Sequence, residues 1–250
     1  QKSPIFFMDE RSSEMTKYAA NAFLATKISF MNEMANIAEL AGADIDSIRL
    51  GIGSDARIGN RFLFPGIGFG GSCFPKDISA LEKTANDVGY DFKILQAVMD
   101  VNNYQKQVLY KRLGKHFGNN LEGKKFALWG IAFKPDTDDI REAPAIYLIN
   151  DLVKAGAKVT AYDPEAGNNA RRLYEDSSDV TILDDEYEVL EGADALIINT
   201  EWSVFRTPDF EQIKQKLNQP LIFDGRNLYN TKDMQSKGFV YKSIGRKTAK

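Results

Sequence analysis

The chain has 250 residues, 43% hydrophobic and 27% charged, with a formal net charge of −3, one cysteine and one histidine. One cysteine excludes an intramolecular disulfide, one cysteine with one histidine is too few for a Cys/His zinc cluster, and the mildly acidic balance argues against broad nucleic-acid or membrane-surface binding. No apolar run approaches the roughly 20 residues of a spanning helix, and the N-terminal QKSPIFFMDERSSEM does not read as a signal peptide, so a cytoplasmic chain is expected.

The first long segment, 13–41, is rich in Ala, Leu, Met and Glu and free of Gly and Pro, which predicts a helix of roughly 40 Å. Ser12 or Ser13 is placed to cap it, and Gly42 suits the position past its end. Its apolar residues cover most of its circumference, so a partner subunit or a missing domain is expected to bury it. A short helix over 46–50 comes next, then a glycine-dense loop to Asp77 whose backbone is free to approach a ligand closely. Helices are expected over 75–88, ended by Gly89, and over 91–117. From residue 119 the pattern changes: KKFALWGIAF, KVTAYDP, ADALIINT, PLIFDGR and FVYKSIG read as strands with helical patterns between them. Alternation of this kind predicts a doubly wound parallel sheet. The expected fold is α/β, with a helical central domain over 1–118 followed by a Rossmann-like domain over 119–250.

Within the loop, Gly66, Gly68 and Gly71 satisfy G-x-G-x-x-G, but no strand precedes them and no βαβ unit surrounds them, so a dinucleotide fingerprint is rejected. Cys73 is the stronger candidate. With Pro75 read as the first helical residue, Cys73 lies just before a helix N-terminus, where free N–H groups, the helix dipole and Lys76 favour a thiolate. Asp77 lies within a turn, close enough to orient a water or take a proton. Lys17 and Asn21 share one face of the long helix at i,i+4 spacing and suit an oxyanion. The bland alternatives are a buried structural cysteine and a lysine that reaches solvent.

In the sheet domain, Lys134 and Arg141 bracket the loop after the first strand, where α/β sheets bind ligands, and Arg226 follows a later strand toward the same crevice. The first strand lacks the glycine fingerprint, so Asp163 is read as a turn residue rather than a ribose ligand. His116 has no serine or acid partner pattern and reads as a surface or helix-capping residue. GGSCF lacks the second glycine of a nucleophile elbow, which disfavours a serine hydrolase.

EMTKYAANAFLATKISFMNE, GSDARIGNRFLFPGIGFGGSCFPKD and GIAFKPDTDDIREAPA together resemble, in order and spacing, the nucleotide-sugar dehydrogenases of the UDP-glucose/GDP-mannose family. The resemblance extends over essentially the whole chain. It implies NAD-dependent oxidation of UDP-glucose to UDP-glucuronate in two steps, through a thiohemiacetal and a thioester on Cys73. It further implies that Lys17 and Asn21 stabilise the oxyanion and, with Asp77, place the hydrolytic water. Arg57 would reach a neighbouring subunit's sugar site, lined by residues 62–70, among them Phe62, Phe69 and Gly70. Phe133, Lys134 and Arg226 would hold the uridine nucleotide, and Lys76 and Arg141 would approach the NAD. The long helix 13–41 would form the core of a homodimer; no metal, nucleic acid or membrane is implied.

One departure is large. The family's first, NAD-binding domain, with its true glycine fingerprint and the threonine and glutamate it adds to the site, has no match here. The expectation is a fragment, catalytically inactive alone. Alternatives are a sister enzyme acting on GDP-mannose or an N-acetylated UDP-hexosamine, and a non-catalytic nucleotide-sugar-binding dimerisation module.

Overall fold

The computed structural model describes residues 4–248. Five helices come first: α1 (Glu10–Ala41), α2 (Ile45–Gly53), α3 (Cys73–Asp87), α4 (Lys93–Lys106) and α5 (Val108–His116). The helix α1 begins earlier than the serines suggest, because the Asp9 carboxylate accepts the Ser12 N–H at 3.0 Å and caps it. Its end is as expected, with Gly42 in the left-handed conformation at φ 74°. The helix expected over 91–117 is two helices. The chain breaks at Gln107, so that α4 packs on α1 and α3 while α5 turns onto the sheet domain.

The helix α3 also starts earlier than expected, at Cys73, with Ser72 before it. Pro75 is therefore its third residue rather than its first. Proline is tolerated there because the first four N–H groups of a helix have no intrahelical acceptor.

The second half is a six-stranded parallel sheet. Its strands are β1 (Lys125–Trp129), β2 (Lys158–Tyr162), β3 (Val180–Ile182), β4 (Ala195–Ile198), β5 (Leu221–Asp224) and β6 (Val240–Ser243). They lie in the order β3-β2-β1-β4-β5-β6. The crossovers carry α6 (Pro144–Lys154), α7 (Gly167–Leu173), α8 (Phe210–Lys216) and α9 (Thr231–Ser236). Strand β3, three residues long, is the one that the sequence pattern does not show. The central strands β1, β4 and β5 are buried on both faces, as a doubly covered parallel sheet requires. The order reverses between β1 and β4, which makes the carboxyl ends of those strands the switch point where such sheets accept ligands.

Two apolar clusters form the core. The larger holds the sheet and runs without interruption across residue 119 into Met31, Ala35, Ala38, Ile45, Leu63, Ile67, Val108, Leu109 and Leu113. The smaller joins Ala22 and Ala25 of α1 to Phe69, Ile78, Leu81, Leu95 and Val98. The helix α1 thus contributes its first half to one core and its second half to the other. Met15, Phe23, Phe30, Ile37 and Leu40 on it remain exposed. Among the described residues no helix is long and apolar enough to cross a membrane.

Candidate active site

Cys73 opens α3 with its thiol exposed, 3.9 Å from the Ser72 hydroxyl. One turn further, Asp77 is 1% exposed and accepts the Asn21 amide N–H on Oδ2 at 2.7 Å. Its other oxygen, Oδ1, makes no hydrogen bond among the described residues and lies 3.5 Å from the Lys76 ammonium. The structure therefore brings Asn21 to Asp77 behind the cysteine, with one of the two amide hydrogens already committed. Lys17, one turn away on α1, is exposed, its ammonium 5.7 Å from the Tyr18 ring centroid. Arg57 folds back on Asp55 at 2.6 Å with its side chain 89% exposed, and this pairing holds the Asp55 carboxyl below its ordinary range.

The loop before Cys73 is held from both sides. From the helical side, Asn102 of α4 pairs with both backbone groups of Phe69, accepting its N–H at 2.8 Å and donating to its carbonyl at 3.1 Å. Gln105 donates to the Gly66 carbonyl at 2.6 Å, and Asn32 of α1 accepts the Gly66 N–H at 2.8 Å. All three amides are fully buried. The sequence reading missed them. Phe69 and Phe62 frame Phe74, with ring centroids at 5.6 and 6.4 Å, so the cysteine sits beside an aromatic wall.

From the sheet side, the same loop meets the switch point. The Gly71 N–H donates to the Arg141 carbonyl at 2.8 Å. A Cβ at Gly70 would collide with the Glu142 carbonyl, and one at Gly71 would strike the Phe133 ring, so close approach requires glycine at both positions. The Arg226 guanidinium reaches Gly66; its Nε donates to the Asn199 carbonyl at 2.7 Å and pairs with Glu201 at 3.2 Å. Phe133, Arg226, Phe69 and Gly70, singled out separately in the sequence, are thus brought to one seam. Lys134 lies on its rim, exposed, 5.4 Å from the Phe133 ring centroid. Arg141, exposed, forks onto Asp139 through Nε at 2.9 Å and Nη2 at 2.8 Å, and holds the Asp139 carboxyl down.

The turn after β1 lacks the open glycine cradle of a dinucleotide site. A Cβ at Gly130, directly after β1, would run into Thr200. Asp163, at the end of β2, is buried and accepts five hydrogen bonds, from the N–H groups of Ile131, Ala132, Glu165 and Ala166 and from the Trp202 indole. A carboxylate so engaged has little capacity left for a ribose hydroxyl. His116 closes α5 with Nδ1 2.8 Å from the Lys242 ammonium; burial first, then that charge, pushes its pKa down.

Two models of one family match the chain: the UDP-glucose/GDP-mannose dehydrogenase central domain over residues 11–104, and the UDP binding domain of the same family over 127–231. A UDP-glucose 6-dehydrogenase of Pseudomonas aeruginosa is 49% identical over 248 residues, which are 98% of this chain and 55% of that protein. The UDP-glucose 6-dehydrogenase TuaD of Bacillus subtilis is 45% identical over 98% of this chain and 52% of its own length. Among solved structures, a UDP-glucose dehydrogenase from the archaeon Pyrobaculum islandicum superposes with a TM-score of 0.87 at 33% identity, covering 98% of this chain and 54% of that one. The chain spans about half the length of the relatives it matches.

Proposed function

Because the chain belongs to the UDP-glucose/GDP-mannose dehydrogenase family, we propose that it is the central and nucleotide-sugar-binding part of a UDP-glucose 6-dehydrogenase, which oxidises carbon 6 of UDP-glucose to the carboxylate of UDP-glucuronate. The reading rests on Cys73, an exposed thiol at the first residue of a helix, one turn before the Asn21–Asp77 pair and two residues after Gly71, which packs on the Phe133 ring. Relatives at 45–49% identity that carry the UDP-glucose name favour this sugar over GDP-mannose or an N-acetylated UDP-hexosamine.

In this reading the Cys73 thiolate attacks the carbon-6 aldehyde. The S–C bond forms, the carbonyl pair moves onto oxygen, and that oxygen takes up a proton to give the thiohemiacetal. The free N–H groups at the start of α3 and the Lys17 ammonium oppose the developing negative charge. Asn21 contributes its second amide hydrogen, the first being given to Asp77. Asp77 Oδ1, which makes no hydrogen bond among the described residues, accepts a proton from the water that later hydrolyses the thioester. NAD, when bound, would accept a hydride from carbon 6 in each of two rounds, the first giving the aldehyde from the alcohol and the second, on a second NAD, turning the thiohemiacetal into the thioester that water hydrolyses to the acid and free Cys73. Lys76 and Arg141, with side chains 67% and 69% exposed, would meet the NAD phosphates. Phe133, Lys134 and Arg226 hold the uridine nucleotide and residues 62–70 line the sugar, while Arg57 would leave Asp55 to reach a neighbouring subunit's sugar site. The partner is a second copy bound through α1, whose exposed apolar residues supply the contact. The 250 residues by themselves bind the nucleotide sugar and do not turn over NAD.

The test is NAD-independent. The 6-aldehyde of UDP-glucose, added at saturation, is expected to slow iodoacetamide alkylation of Cys73 at least tenfold more than UDP-glucose does. Equal protection by the two ligands removes the covalent role. Calorimetry with UDP-glucose and GDP-mannose then separates the substrates.

A further inference from the structure

Lys106, the last residue of α4, is an anomaly in the helical half: a lysine only 5% exposed. Its ammonium bonds the Glu142 carboxylate at 2.9 Å and stands 4.1 Å over the centre of the Tyr147 ring. The Tyr147 hydroxyl donates to the same Glu142 oxygen at 2.6 Å. These bonds hold the Glu142 carboxyl below its ordinary range, the tyrosine more than the lysine, while burial and Glu142 push the Tyr147 hydroxyl up to about 12.

Glu142 is one of the points at which the sheet domain touches the cysteine loop. Its backbone has φ 52°, a conformation that side-chain-bearing residues avoid and that only surrounding contacts maintain. Its carbonyl fills the space in which a Cβ of Gly70 would lie. The preceding residue, Arg141, accepts the Gly71 N–H at 2.8 Å, two residues before Cys73. The Arg141 guanidinium is itself forked onto Asp139 at 2.8 and 2.9 Å, so its backbone and its side chain are both fixed beside the loop that carries Cys73. Lys106 is anchored on α4, the helix whose Asn102 and Gln105 hold the other side of the loop.

We propose that Lys106, with Glu142 and Tyr147, is a positioning residue: an ion pair across the two halves of the chain that fixes the Phe133–Ala143 loop, and with it Arg141, at a set distance from Cys73. The proposal rests on Cys73 as the nucleophile. Nothing in the geometry lets Lys106 itself touch the reacting atoms; it acts through Glu142. Removing the charge at either end frees residue 142 to relax toward negative φ, and the relaxation withdraws Arg141 from the thiol.

The experiment uses Lys106→Met, Lys106→Arg and Glu142→Gln. Glu142→Gln keeps the size of the side chain and carries the test if Lys106→Met does not fold. Two quantities are read on each folded chain: the pH profile of Cys73 alkylation and hydrogen exchange of segments 66–74 and 133–143. The midpoint of the profile reports charge near the sulfur, whereas its plateau reports access. Lys106→Met and Glu142→Gln are expected to move the midpoint up by at least half a pH unit, about a threefold loss of thiolate below it, and to speed exchange of both segments at least fivefold. Lys106→Arg is expected to restore both. Unchanged exchange in the folded variants overturns the proposal. If the parent midpoint is that of a free cysteine, about 8.5, the nucleophile reading fails, and exchange alone then decides the clamp.

Discussion

An asparagine that both donates to and accepts from one residue's backbone takes the place of a neighbouring strand, and Asn102 does this for Phe69. Asn102→Ala leaves a buried N–H and a buried carbonyl without partners. A loss of roughly 2–4 kcal/mol in unfolding free energy is expected, measured by urea denaturation, since each orphaned buried group costs about 1–3 kcal/mol. Cys73 and Asp77 were legible in the sequence because helix-start chemistry has a local signature of Pro, Lys and Asp at fixed offsets. Asn21 was legible through its spacing from Lys17, although the structure gives it Asp77 as partner. The amides that hold the loop were not, because Asn and Gln on a helix ordinarily face solvent. A signal was nonetheless present: Leu95, Val98, Asn102, Gln105 and Leu109 recur at alternating steps of three and four, so the two amides fall on the buried stripe.

At the level of elements, α1 shows how far pattern alone carries. Its helical character and its need for cover are both visible in the sequence, and the structure divides that cover between two cores. What remains is a stripe of Phe23, Phe30 and Ile37, seven residues apart and 67%, 55% and 56% exposed. Each such side chain contributes about 1.5–3 kcal/mol when fully buried. The paired substitution Phe30→Glu and Ile37→Glu is expected to convert a sedimenting dimer into a monomer of unchanged helix content. A parent that sediments as a monomer at micromolar concentration refutes the α1 contact. The elements that escaped the sequence did so for different reasons. Strand β3 has three residues, too few to show alternation. The break at Gln107 has no Gly or Pro to announce it; it arises where α4 ends its packing on α1 and α5 begins its packing on the sheet.

For the molecule as a whole, the doubly wound sheet was readable because parallel strands are continuous apolar runs separated by amphipathic helices. The seam was not readable, since it depends on contacts between residues more than sixty positions apart, such as Gly71 with Arg141. Residue 119 marks a change of architecture without a gap in the core. A chain of residues 119–250 alone would expose the sheet surface that Met31, Ile45, Leu63, Ile67 and Leu113 cover. It is expected to melt well below the parent and to bind a hydrophobic dye; an equal melting temperature would show that the sheet stands without the helices. Asp163 has a wider consequence. By giving its carboxylate to the turn that follows β1, the domain supplies its own anion at the place where folds of this shape receive a borrowed one. The turn is tied from the moment the chain folds, so a guest reaching this end of the sheet need not supply the charge that fixes it. Replacing Asp163 with a small neutral residue would leave its N–H partners to whatever anion the solution offers.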